Sequence, residues 1–273
     1  MWSFAPDLQR GRVDIRAFVD ICRQLGVDAI EVVDHFWAMG GRPLSLLRDA
    51  GVRVCAYDTA TDFVCNDPSG RHQQVKAAYA AIEEAAQLGA PLVRLLAGRL
   101  KEGISRESAL RMVSESLAPV AQYACHQGVT VVLEPCGDVV YSAEDLLLLV
   151  KWVGSEALRI NADLSTFLLM GLDPVRECGS VASWCRLVHL NDVRRARSGD
   201  RGYLFRSVTN ASYVGTVIGE GEVHVRECLR ALVQGGFSGP FSIEYLGIED
   251  AVEGVRRSLE RVRTMLQEVT HEQ

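Results

Sequence analysis

Four times in its first half the chain repeats one device: a stretch of helical period, a glycine, then a β-branched apolar run. It stands at Leu25-Gly26-Val27, Ala50-Gly51-Val52, Leu88-Gly89-Ala90 and Gln127-Gly128-Val129. A glycine in the left-handed conformation ends a helix and turns the chain back, so each instance reads as a helix-to-strand turn. Strands that alternate with helices pair in parallel through right-handed crossovers. Seven runs qualify as strands: Asp28–Val33, Val52–Tyr57, Pro91–Leu96, Val129–Leu133, Leu158–Ala162, Arg186–Leu190 and Pro240–Tyr245. They are nearly continuously apolar, as a sheet covered on both faces requires. Between them, Arg71–Leu88 carries Val75, Ala78, Ile82 and Ala85 on one helical stripe, and Val223–Val233 ends at Gly235-Gly236. Asp14 is placed to cap Ile15–Leu25, and Ser142 with Asp145 to cap the run ending at Val150.

The alternation predicts a (β/α)8 TIM barrel in one domain spanning residues 1–273. Met1-Trp2-Ser3-Phe4 would be a short or incomplete first strand, before the seven clear ones. A length of 273 residues suits that fold. The structural alternative, a doubly wound open sheet, would announce itself by a glycine-rich phosphate loop after its first strand, and none is present. With 48% hydrophobic and 23% charged residues, disorder is excluded as the main state. No window approaches the ~20 apolar residues of a membrane span. The first residues lack the charged-then-apolar layout of a signal peptide. The eight cysteines include no C-x-x-C pair, which points to reduced thiols in a cytoplasmic protein. A net charge of −6 argues against nucleic acid as the main partner.

One stretch breaks the pattern. Asp192 to Glu222 holds Arg194, Arg195, Arg197, Arg201 and Arg206 with five glycines, and reads as a long structureless loop serving as a lid. Its arginines suggest an anionic group on the substrate or on a partner chain.

In a barrel, catalytic side chains sit at the C-terminal ends of the strands. Four successive strands carry a metal-capable residue there: Glu134, Asp163, His189 and Glu244, separated by 29, 26 and 55 residues. The first two gaps each match one strand–helix unit, and the third adds the arginine-rich stretch. Singly, each residue is unremarkable: a glutamate past a strand is usually exposed or paired, and a histidine in an apolar strand is usually hydrogen-bonded core. Together, three carboxylates and an imidazole at one mouth would be costly without a cation. Three oxygen donors and one nitrogen favour Mn2+ or Mg2+, with Co2+ or Zn2+ as alternatives.

These four residues, in this strand order, resemble the xylose isomerase-like TIM barrels, the sugar phosphate isomerase/epimerase group that includes D-tagatose 3-epimerase. VVLEPCG resembles the family's LENHG-type element, VHLNDV its HxKD element, GEGEVHVRECLRAL its GxGxxD-then-helix segment, and FSIEYLG its final SxEY strand. The resemblance covers roughly Arg12 to Leu266. It implies one divalent ion, Mn2+ first, held by Glu134, Asp163, His189 and Glu244. It further implies that Glu134 and Glu244 act as a facing acid/base pair moving a proton next to a carbonyl, through a metal-bound enediolate. Arg195, six residues past His189, has the spacing of a substrate-contacting arginine in the epimerases. Arg94, in the strand before that of Glu134, is placed to bind substrate.

Two departures stand out. The epimerases carry Asp-x-x-His where this chain has Asp163-Leu-Ser-Thr166, and many relatives carry Asn-His where it has Pro135-Cys136. Thr166 and Cys136 therefore become candidate substrate contacts, and simple-ketose specificity does not carry over. The function expected is a metal-dependent isomerase or epimerase of a sugar, ketose or polyol derivative, with self-association into a homo-oligomer. The alternative is a lyase or dehydratase on a keto-sugar or inosose-like substrate. An endonuclease IV-type nuclease and a non-catalytic barrel are the other classes considered. The nuclease is disfavoured by Thr166 and the negative charge.

Overall fold

The computed structural model describes residues Met1–His271. They fall into two compact units, Ser3–Asn161 and Ala162 onward. The first unit carries β1 (Ala29–Val33), β2 (Arg53–Asp58), β3 (Leu92–Leu96), β4 (Thr130–Glu134) and the first residues of β5 (Leu158–Asp163), each paired in parallel with the next. The helical stretches form where their caps place them. Asp14 accepts a 2.8 Å hydrogen bond from Ala17 N and starts the helix Ile15–Gln24. Ser142 and Asp145 form a reciprocal capping box on Ala143–Val153. Gly51, Gly89 and Gly128 end their helices at φ 65°, 70° and 69°, a conformation in which a side chain would clash with the backbone. Helices Pro68–Leu88 and Arg106–Gln127 pack together and cover the sheet with Ala78, Ile82, Val113 and Leu117, all fully buried.

The second unit continues β5 and adds β6 (Cys185–Leu190), β7 (Val193–Arg195), β8 (Leu204–Arg206), β9 (Ser212–Gly215) and β10 (Phe241–Ile243). β10 pairs in parallel with β6, and helices Pro174–Val181 and Val225–Gln234 pack on each other. Helix Ala251–His271 is the last described element. The parallel strands run in chain order, β1-β2-β3-β4-β5-β6-β10, with β5 belonging to both units.

Two expectations are corrected. Met1–Phe4 is no strand: Trp2–Phe4 is a 3-10 turn running into the helix Ala5–Gln9, with Pro6 in its first turn. Only Met1 lies along β1, its nitrogen 3.0 Å from Glu31 O. Proline has no N–H to offer a ladder and is preset for a helix start, which decides the segment. The parallel sheet of the described residues therefore has seven strands. Nor is Asp192–Glu222 structureless: β7, β9 and β8 form a small antiparallel sheet in that order. Its strands hold only three or four residues each, too few for a period-two pattern to show. None of the eight cysteines is in a disulfide. Among the described residues no helix is long and apolar enough to cross a membrane.

Candidate functional site

Residues opposite one another in parallel strands point to the same face, and alternate residues along a strand return to it. In the first unit Val33 lies opposite Asp58, Asp58 opposite Arg94, Arg94 opposite Val132, and Val132 opposite Arg159. Glu31, Asp58, Arg94, Glu134 and Asn161 therefore share one face. Glu31, Asp58, Arg94 and Asn161 are buried there, and Glu134, the last residue of β4, is half-buried. Arg94 organises the row. Its Nη2 donates to Asp58 Oδ2 at 3.0 Å, and its Nε lies 2.9 Å from Glu134 Oε2. Asn161 Nδ2 donates to the same Glu134 oxygen at 3.1 Å. The carboxylate of Glu134 is thus fixed in orientation from two sides.

In the second unit Ser242 lies opposite His189, so Glu244, two residues on, shares the face of His189. Asp163 ends β5 and caps the next helix, its Oδ1 accepting from Thr166 N at 2.7 Å. Asn191 ties the set together. Its Nδ2 donates to Asp163 Oδ2 at 2.7 Å and to Glu244 Oε2 at 3.3 Å, while its Oδ1 accepts from Ser165 N at 2.8 Å. His189 Nδ1 stands 3.4 Å from Glu244 Oε1. Asp163, His189 and Glu244 are all buried. Two buried carboxylates sharing one amide, with an imidazole beside them, form a donor set for which a divalent cation supplies the missing charge. On that chemistry the residues fit a metal.

The small antiparallel sheet is built onto the strand ends of the second unit. Val208 N donates to Leu169 O at 2.9 Å, after β5, and Gly215 bridges to Gly247, after β10. Arg194 grips Asp200 through both terminal nitrogens at 2.9 Å, which holds that carboxyl down at about 2. Asp192 anchors the return segment. Its Oδ2 accepts from Gly219 N and Gly221 N at 2.9 Å, and its Oδ1 from Val193 N and Val223 N at 2.9 and 3.0 Å. A Cβ on Gly221 would run into this carboxylate, so the glycine is required by the close approach. Burial pushes the Asp192 carboxyl up to about 6, against the opposite pull of its four N–H partners. Asp192→Ala would leave four N–H groups without their acceptor and is expected to cost about 3–5 kcal/mol. Urea denaturation would measure the loss, and a cost below about 1 kcal/mol would show that water replaces the carboxylate freely.

The remaining expected site residues lie as follows. Arg195 is exposed, with its guanidinium 4.6 Å over the Tyr213 ring and its backbone N bonded to Glu222 Oε1 at 2.8 Å. Thr166 is half-buried and held to Asp163 through its backbone. Cys136 is half-buried and closes a tight turn, its N donating to Val140 O at 2.7 Å. Glu31, Asp58, Asn161, Asn191 and Asp192 were not singled out from the sequence. The signal was a polar residue on the face shared by alternate positions, as in AIEVV and LRINAD, and it needed the strand register to be recognised.

A family model described as xylose isomerase-like TIM barrel matches residues 19–265. The chain belongs to that family. Its fold is shared by solved structures at low identity. The IolI protein with a bound zinc atom is 18% identical, with a TM-score of 0.77 over 94% of each chain. The 3-keto-D-glucoside 4-epimerase YcjR from E. coli is 17% identical, with a TM-score of 0.74 over 92% of this chain and 94% of that one. The D-psicose 3-epimerase of Clostridium cellulolyticum H10, solved with D-tagatose, is 14% identical, with a TM-score of 0.74 over 93% of this chain and 94% of that one. No curated protein sequence matches the chain significantly.

Proposed function

We propose that this xylose isomerase-like protein works as one domain and is a divalent-metal-dependent isomerase or epimerase of a sugar, ketose or polyol derivative. The observation that carries the reading is the buried pair Asp163 and Glu244 joined through Asn191, with His189 beside Glu244. TIM-barrel enzymes place their active sites at the C-terminal strand ends. The reading therefore joins Glu134, at the end of β4, to that set as the fourth ligand. A divalent ion held there, Mn2+ in this proposal, would supply Lewis-acid polarisation of a substrate carbonyl.

The chain's own residues do the rest. Glu134, oriented by Arg94 and Asn161, takes a proton from the carbon next to the carbonyl. Glu244, oriented by Asn191, returns a proton from the other side. Arg195, Thr166 and Cys136 contact substrate, while Arg94 serves through its hold on Glu134. The exposed Arg197, Arg201 and Arg206 suit an anionic group on the substrate. Thr166 and Cys136 each stand where related epimerases carry a polar histidine, and Pro135 where many carry asparagine. That difference favours a keto-sugar over a simple ketose, and dehydration of such a substrate is the second reading to test.

Elemental mass spectrometry of the purified protein is expected to find about one divalent ion per chain, or one taken up when Mn2+ is offered. The loaded protein is then expected to exchange solvent deuterium into D-tagatose or a 3-keto-D-glucoside. A protein that neither carries nor takes up a metal would overturn the proposal.

A further inference from the structure

β8 is the open edge of the small antiparallel sheet. Its register with β9 decides which backbone groups face outward. Ala196 N donates to Ser212 O on the β7 side, and Ser207 N donates to Ala211 O on the β8 side. Hydrogen-bonded pairs alternate along an antiparallel ladder, so Phe205 bonds Tyr213, and the N–H and C=O of Leu204 and Arg206 point away from β9. Such an edge is a template for another strand unless a charge or a proline blunts it. Here its middle is apolar: Tyr203 is 71% exposed and Leu204 52%. Ile248, 43% exposed, lies at one end, so close to Gly202 that a Cβ there would run into its side chain. Val208, 55% exposed, lies at the other end. Among the described residues these are four of the eight exposed large apolar side chains, gathered along one short strand and its ends.

We propose that β8 pairs antiparallel with β8 of a second copy of this chain, about a two-fold axis at Phe205, joining the two three-stranded sheets into one. In this register the edge is complementary to itself. Leu204 of one copy lies opposite Arg206 of the other, and these are the residues whose backbone groups face out. Phe205 meets Phe205 in a non-hydrogen-bonded pair, where side chains approach most closely. Val208 of one copy comes beside Gly202 and Ile248 of the other, so both apolar ends are covered. Arg206 arrives at the end that carries Asp250, whose carboxylate accepts only from Glu253 N. Neither Arg206 nor Asp250 has an ion-pair partner among the described residues, so the two charges complete each other across the axis. An unrelated strand would match the backbone of the edge but not its two ends. Arg206 is taken up by the pairing, and Arg197 and Arg201 remain for an anionic group of the substrate.

Sedimentation equilibrium of the full chain tests this without metal or sugar, so its outcome is separate from that of the proposed reaction. Wild type is expected to be a dimer at about 10 µM. Leu204→Pro removes an outward N–H and no bond to β9, and is expected to leave a monomer at the same concentration. Leu204→Lys sets a cation opposite Arg206 of the second copy and is expected to weaken the dimer roughly tenfold or more, since the axis repeats the change. Leu204→Glu meets Arg206 with the opposite charge and is expected to keep the dimer. Melting curves check that each variant is folded, and the lysine and glutamate variants carry the test should the proline variant not fold. A wild type still monomeric at about 100 µM would overturn the inference. So would a dimer indifferent to all the substitutions, which puts the contact elsewhere. A dimer that lysine and glutamate weaken alike would overturn it too, because the contact would then not follow this strand register.

Discussion

Glu134→Gln is expected to lower the rate of solvent-deuterium exchange into substrate by about a thousandfold, with little change in thermal stability. The reason is chemical. Glutamine keeps a carbonyl oxygen that can accept from Arg94 Nε and Asn161 Nδ2, the two groups that now meet Glu134 Oε2. It cannot take a proton from carbon. The comparison needs mass-spectrometric exchange rates and a melting curve on the same preparations. Exchange that survives the substitution would remove Glu134 from the proton-transfer role. A variant that lost exchange only because it had unfolded would show in the melting curve.

Arg94→Leu is expected to act on stability first, costing about 3–5 kcal/mol. Arg94 is buried together with Asp58, and one guanidinium serves both Asp58 and Glu134 at 3.0 and 2.9 Å. Removing it leaves two carboxylates in a poorly solvated place without their counter-charge. For a chain of this size the loss corresponds to a fall in Tm of roughly 10 °C. Asp58→Asn in the same background is expected to recover part of it, because the uncompensated charge is then halved. A loss below about 1 kcal/mol would show that the pair behaves like an exposed one.

Much of the architecture was legible before any coordinates. The helix–glycine–strand turns at Gly51, Gly89 and Gly128 adopt the left-handed conformation they require, and all seven apolar runs form strands. These features rest on local physics: backbone sterics at glycine, side-chain caps at Asp14 and Ser142, and burial periodicity. Each is decided within a few residues, so the sequence alone carries it. The Met1–Phe4 segment misled because four residues are too few to show a period, and Pro6 set a helix start just beyond them.

The site was legible only in outline. Placing Glu134, Asp163, His189 and Glu244 at or near strand ends follows from where each apolar run stops, and β4, β5, β6 and β10 place them so. What each carboxylate touches is a property of lateral register. A shift of one residue in pairing reverses every side chain of a strand, and nothing in a single strand's sequence states which partner residue lies opposite. Only the tertiary structure put Arg94 between Asp58 and Glu134, gave Asn191 both Asp163 and Glu244, and drew Gly219, Gly221 and Val223 onto Asp192. The sequence by itself determined which elements exist and where their chemistry-bearing ends fall, because those choices are local. The tertiary structure decided which charges meet and which amide bridges which carboxylates, because those depend on residues up to about fifty positions apart in the chain.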